Sequence, residues 1–191
     1  MKELCDRIVA DGEVIGSQIL KVDSFLNHQI DPQFVMQLGA EIASRFDGEG
    51  VTRILTVEAS GIAVAMAVGL ALRVPLVFAK KSRASTQSEA MYTADVYSFT
   101  RQEAVHVNVS SRYLGKDDVV LIVDDFLAHG EALNGLVEIV RQAGAKLAGA
   151  GIIIEKQFQG GGEKLRAQGM RIESLAAITS MEPGRICFAG K

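Results

Sequence analysis

The sequence is short of aromatic residues and has no tryptophan: phenylalanine and tyrosine together make up 6% of its 191 residues. Proline is scarce as well, with 3 against 19 glycines. An apolar share of 48% with so few large rings rests on Val, Ile, Leu and Ala. That composition suits a parallel sheet wrapped by helices better than a sandwich or a coiled coil. Excess positive charge is missing too. The formal net charge is −3, which argues against a protein that grips nucleic acid by its phosphates. No apolar run reaches the roughly 20 residues that span a bilayer. The N-terminus (Met1-Lys2-Glu3-Leu4-Cys5-Asp6-Arg7) alternates charges where a signal peptide would be apolar. Neither nucleic acid nor membrane is therefore an expected partner. The two cysteines, Cys5 and Cys187, stand at opposite ends, with no paired spacing for zinc and no disulfide framework. Free thiols imply a reducing compartment, and the expected location is cytoplasmic.

What is there is an apolar run followed by a helical pattern, repeated. Residues 53–58 read as a buried strand and 62–72 as the helix after it. Residues 76–78 form a short strand behind Pro75, and 119–123 (Val-Val-Leu-Ile-Val) the strongest strand in the chain. A helix over about 131–143 follows, closed by Gly144, and 147–154 is another strand. Such alternation predicts βαβ units in a mostly parallel, doubly covered α/β sheet. Asp31-Pro32 opens an earlier helix with Phe34, Leu38, Ile42 and Phe46 on one face. No linker interrupts 1–191, so one domain is expected, with a small hood from about 14–30. Between about 80 and 109 a polar stretch precedes two strand-like pieces, 95–100 and 105–109, and predicts a lid over a site.

The chemistry concentrates after the strongest strand. Asp124 and Asp125 sit at its carboxyl end, followed by Phe126-Leu127-Ala128-His129-Gly130 and a helix beginning near Glu131. Ligands of open α/β sheets bind at strand carboxyl ends. A turn that opens a helix offers free N–H groups and the positive end of the helix dipole, which suits phosphate. Two carboxylates beside it can accept from vicinal hydroxyls, so a sugar phosphate matches all of these features. A second strand end, Glu58-Ala59-Ser60-Gly61, has the small residues of an anion-binding nest. His28, His106 and His129 show no metal spacing, and no protein metal site is predicted. Gly160-Gly161-Gly162 lacks a nucleotide-binding pattern and reads as a flexible loop before a helix at 163–168.

The strand with its acidic pair and the turn through Ala132 resembles the phosphoribosyl-pyrophosphate motif of type I phosphoribosyltransferases. The stretch 20–32 (Leu-Lys-Val-Asp-Ser-Phe-Leu-Asn-His-Gln-Ile-Asp-Pro) and Ile154-Glu155-Lys156 resemble the bacterial, xanthine-using branch of that family. The resemblance covers essentially the whole chain. It implies the family's fold, with hood and lid, and transfer of 5-phosphoribosyl from phosphoribosyl pyrophosphate to N9 of xanthine in purine salvage.

In residue terms the resemblance implies that Asp124 and Asp125 meet the ribose hydroxyls. Ala128, His129, Gly130, Glu131 and Ala132 would cup the 5′-phosphate. Glu58, Ala59, Ser60 and Gly61 would hold pyrophosphate, in a loop that often carries a non-proline cis peptide in this family. Lys80, Lys81 and Arg83 are natural partners for the leaving group, Lys81 first among them. The chain departs from many relatives in having His129 and Ala132 where they have Thr. It has Ala128 where hypoxanthine–guanine relatives have Asp, which leaves no general base assigned.

Lys156 is a donor-only side chain and would meet the O6 carbonyl of a 6-oxopurine. Asn27 would donate to the second carbonyl of xanthine, Leu20 would line the base site and Phe158 would stack on the ring. Mg²⁺ is implied as a cofactor held mainly by phosphoribosyl pyrophosphate, and a homodimer as the assembly, with apolar faces offered by the N-terminal helix and the Phe34 helix. Two alternatives stay open at this point. One is a sister enzyme for guanine or hypoxanthine. The other is a non-catalytic regulator that senses a purine or phosphoribosyl pyrophosphate on the same fold.

Overall fold

The computed structural model describes residues 1–81, 90–98 and 103–190. Its centre is a sheet of eight strands. Five run parallel: β3 (Arg53–Val57), β4 (Leu76–Lys81), β7 (Val119–Leu127), β8 (Lys146–Lys156) and β9 (Ile172–Glu182). Antiparallel strands finish both edges: β10 (Arg185–Phe188) beside β9, and the hairpin β5 (Met91–Ser98) and β6 (Glu103–Ser110) beside β4. The order across the sheet is β10-β9-β8-β7-β3-β4-β6-β5. This is the mostly parallel α/β architecture that the composition and periodicity predict. A separate two-stranded hairpin, β1 (Glu13–Ile15) and β2 (Ile19–Lys21), precedes it.

Side chains alternate across the parallel strands and so fill two cores. On β7, Leu121 and Val123 point to one face while Val120 and Ile122 point to the other. The first face is covered by α1 (Lys2–Asp11), α2 (Pro32–Arg45) and α3 (Gly61–Leu72). The second is covered by α4 (Glu131–Gln142) and, near the end of β8, by α5 (Gly161–Ala167). Asp31 caps α2 by accepting from the Phe34 amide at 3.2 Å, with Pro32 at the first helical position. The Phe34, Leu38, Ile42 and Phe46 stripe is buried in the first core. It is therefore not the free apolar face expected of it for assembly, because the sheet already covers it.

Among the helices, large exposed apolar side chains stand instead on α3 and, singly, at Val9 of α1. The α3 helix is apolar all round, and Met66 and Leu70 are 58% and 64% exposed.

The hood is β1, β2 and a single π-helical turn, Asp23–Asn27. Val22, Phe25 and Leu26 root it in the first core. Arg7 of α1 stacks over Phe25 and Phe34, whose rings meet edge to face at 5.8 Å.

Of the stretch 80–109 expected to form a lid, the described part is paired and packed. Lys80 and Lys81 pair with Asn108 and Val107 in the sheet, and Ala94, Val96, Val107 and Val109 are buried in the second core. The Gln142 side chain of α4 bonds both the amide and the carbonyl of Thr93. Gly135 of α4 leaves room for Val96, since a Cβ there would stand 2.5 Å from a Val96 methyl. The hairpin is thus a packed edge of the sheet. The polar run 82–89, with Arg83, lies outside the described residues.

Candidate active site

β7 is longer than the apolar run that announces it, and both acids belong to the strand. Asp124 and Asp125 are each 7% exposed. The Asp125 amide donates to Asp124 Oδ1 at 3.0 Å. Burial first, and the neighbouring Asp125 charge second, push the Asp124 carboxyl well above the usual carboxylate range. Lys81, from the end of β4, is the cation that opposes this rise. Both Asp124 and Lys81 line a cleft of about 750 Å³ at the carboxyl ends of the parallel strands. Asp125 does not line it.

The turn after β7 forms the floor of the same cleft, lined by Ala128, His129, Gly130, Glu131 and Ala132. Gly130 has φ +89°, a left-handed value that favours glycine. No side chain caps the first turn of α4, so its amides remain available to an anion.

The turn after β3 is built alike. Glu58–Ala59 is a cis peptide bond, as the family resemblance implies, and Ser60 makes no side-chain cap to α3. The Glu58 carboxylate turns toward β4, its Oε1 accepting from the Lys81 amide at 2.5 Å. Gly61 lets α3 start against the acidic pair: a Cβ there would lie 2.8 Å from Asp124 Oδ1. None of Glu58, Ala59, Ser60 or Gly61 is among the residues that line the cleft itself.

At the far end, Lys156 closes β8. Its Nζ donates to the main-chain carbonyl of Gln18 at 2.7 Å and stands over the Phe126 ring at 5.4 Å. Burial lowers its pKa. The other walls here are Gln18, Ile19, Phe126 and Gln159, which sequence reasoning missed.

Leu20, Asn27 and Phe158, expected at the base, do not line the cleft. Alternation along β2 sends Ile19 to the cleft and its neighbour Leu20 into the core, 5% exposed. Asn27 is exposed on the hood, and Phe158 packs against the first core. The register of a three-residue strand decides between Ile19 and Leu20, and composition carries no sign of it.

Glu155, beside Lys156, belongs to the framework. It is 1% exposed on its side chain and accepts a two-pronged bond from Arg166, 2.7 Å at each oxygen, and one from Ser174. Among the described residues no group of three or more His, Cys, Asp or Glu could hold a metal ion. The donors that remain suit a cation brought in by a substrate, not a protein cage.

The phosphoribosyl transferase domain family matches residues 21–167. The chain belongs to this phosphoribosyltransferase family. Among curated proteins, the chain is 70% identical over 189 residues to the xanthine phosphoribosyltransferase of Heliobacterium modesticaldum, covering 99% of this chain and 100% of that one. It is 55% identical to the xanthine phosphoribosyltransferase of Moorella thermoacetica, covering 97% and 94%. Solved phosphoribosyltransferases share the fold at low identity. The adenine enzyme of Giardia lamblia, complexed with 9-deazaadenine, gives a TM-score of 0.76 at 22% identity, over 91% and 97% of the two chains. That of Trypanosoma brucei, with AMP, pyrophosphate and ribose 5-phosphate, gives 0.72 at 15%, over 91% and 79%.

Proposed function

We propose that this phosphoribosyltransferase transfers 5-phosphoribosyl from phosphoribosyl pyrophosphate to N9 of xanthine, yielding xanthosine 5′-monophosphate and pyrophosphate for purine salvage. Near full-length identity of 70% to a xanthine phosphoribosyltransferase carries the reading. Lys156, a half-buried donor at the base end of the cleft, agrees with it. The adenine enzymes among the solved structures are under 25% identical and speak for the fold alone.

In this reading the N9 lone pair forms the new bond to C1 of the ribose. The C1–oxygen bond breaks, its electron pair leaves with pyrophosphate, and the proton that the base carries on N7 passes to solvent. Asp124 and Asp125 accept from the ribose hydroxyls. Amides of the turn at Ala128, His129, Gly130, Glu131 and Ala132 hold the 5′-phosphate. Those at Ala59, Ser60 and Gly61, with Lys81, hold the pyrophosphate as its charge grows, while the Glu58 amide, donating to the Ala79 carbonyl at 3.1 Å, fixes the start of that loop on β4. Placement and fixed dipoles supply most of the acceleration.

Mg²⁺ bound through substrate oxygens would neutralise part of the leaving charge, and Asp124 and Glu131 are the carboxylates that line the cleft where it would sit. Lys156 donates to O6 of the base, with Phe126 and Ile19 flanking the ring. Asn27 contributes to the base from the hood, and Leu20 and Phe158 support the base site from the core behind it. The chain works as a cytoplasmic homodimer, a reading supported by the exposed Met66 and Leu70 and by two free cysteines. Among the described residues no helix is long and apolar enough to cross a membrane.

The test is product analysis. Phosphoribosyl pyrophosphate, Mg²⁺ and xanthine should give equal amounts of xanthosine monophosphate and pyrophosphate. An absence of both products would contradict the reading.

A further inference from the structure

The wall around Lys156 carries a group that the proposed reaction does not yet use. Gln159 lies one short helical turn beyond Lys156, at the same end of β8. Its Nε2 donates to Gln18 Oε1 at 2.8 Å, while the main-chain carbonyl of Gln18 accepts from Lys156 Nζ at 2.7 Å. One hood residue thus holds two side chains of the base wall. With Nε2 engaged, the orientation of the Gln159 amide is set. Its Oε1 is left buried with no hydrogen-bond partner. Buried carbonyl oxygens without a donor are uncommon and costly, and a ligand N–H is the kind of partner that would satisfy this one.

A 6-oxopurine supplies such a donor. When its O6 meets Lys156, the neighbouring ring position, N1, carries a hydrogen. Acceptor then donor along the base edge would meet the donor of Lys156 and the acceptor of Gln159, two residues that line the same cleft and are both held by Gln18. Adenine presents the reverse order, an amino donor and an N1 lone pair. It would leave both wall groups facing groups of their own kind.

We propose, resting on the transferase reading above, that Gln159 reads the base by accepting from its N1–H, and that Gln18 is the positioning residue that fixes the Gln159 amide. Base selection is then shared between the turn after β8 and the tip of the hood hairpin.

The experiment compares xanthine with 1-methylxanthine, which lacks the N1–H, in the wild type, Gln159→Leu, Gln159→Asn and Gln18→Ala. Gln159→Leu keeps the volume and loses the acceptor. Its kcat/KM for xanthine should fall roughly 10- to 100-fold. Activity on 1-methylxanthine, with no such bond to lose, should change little. The ratio of the two substrates therefore collapses by about tenfold or more, while the KM for phosphoribosyl pyrophosphate stays within about twofold. Gln159→Asn, a milder change that keeps an amide, should shift the ratio in the same direction. Gln18→Ala should lose less, and adding it to Gln159→Leu should cost nothing further.

An active wild type whose ratio is unchanged in Gln159→Leu and Gln159→Asn would overturn the role of Gln159 alone. A wild type inert toward xanthine would overturn the transferase reading, and this inference with it.

Discussion

The main-chain amide of Gly161 donates to the carbonyl of Ala128 at 3.1 Å, joining the start of α5 to the turn that follows β7. A Cβ on Gly161 would collide with that carbonyl and lie 2.6 Å from the Gly130 nitrogen. The base wall at Lys156 and Gln159 leads through Gly160 directly into this contact. Base end and phosphate end of the cleft are thereby fixed to each other.

Gly161→Ala should push the phosphate turn out of place. The expected result is a loss of about 10- to 100-fold in kcat/KM for phosphoribosyl pyrophosphate, measured by steady-state kinetics. Gly115→Ala, where an added Cβ meets nothing within 4 Å, should leave that value unchanged. An unaltered Gly161→Ala would show that the turn does not depend on α5.

Arg166→Met should destabilise the fold by removing the only fork on a buried carboxylate among the described residues. Burial acts to raise the Glu155 pKa, but Arg166 and Ser174 outweigh it and hold the group below its usual value. A depressed carboxylate stabilises the folded state above its unfolded pKa of about 4.3, and that stabilisation is lost as pH falls through the folded value. Allowing for the partial exposure of Arg166, the deficit should be about 2–3 kcal/mol at neutral pH. It should shrink on acidification. Thermal unfolding at a series of pH values reads this directly; a constant deficit across the series would contradict it.

Asp124→Asn should trade activity for stability. The wild-type carboxyl is raised by burial and by Asp125, so its favourable contribution exists at low pH and is lost as pH rises through the folded value. The unliganded variant should therefore melt higher at mildly alkaline pH, by roughly 2–4 °C. The gain should fade toward the unfolded Asp value of about 3.9. Turnover should drop at least about 100-fold. A variant that melts lower than wild type at alkaline pH would show that the charge is compensated.

Leu70→Glu should prevent self-association by charging the exposed face of α3. Light scattering after gel filtration should give a dimer mass for the wild type and a monomer mass for the variant. Identical masses would remove α3 from the interface.

Much of this was legible in the sequence because periodicity survives tertiary packing. The run from Val119 and the pattern after Glu131 marked β7, α4 and the turn between them. Asp124, Lys81 and the segment from Ala128 to Ala132 do line one cleft. What was not legible depended on register and on contacts between distant segments. Nothing local distinguishes Ile19 from Leu20, and Gln18 meets Gln159 across 141 positions. The glycines at 160–162 read as a flexible loop, yet Gly161 and Gly162 are buried because α5 must approach Ala128 and Glu155 closely. β9 and β10 carried no chemistry and drew no expectation.

The central claim is choice of base, and one comparison tests it most directly: kcat/KM for xanthine, guanine, hypoxanthine and adenine, each with saturating phosphoribosyl pyrophosphate and Mg²⁺, read as pyrophosphate release. Xanthine should rank first, the other 6-oxopurines below it and adenine last. A preference for adenine would contradict the account at Lys156.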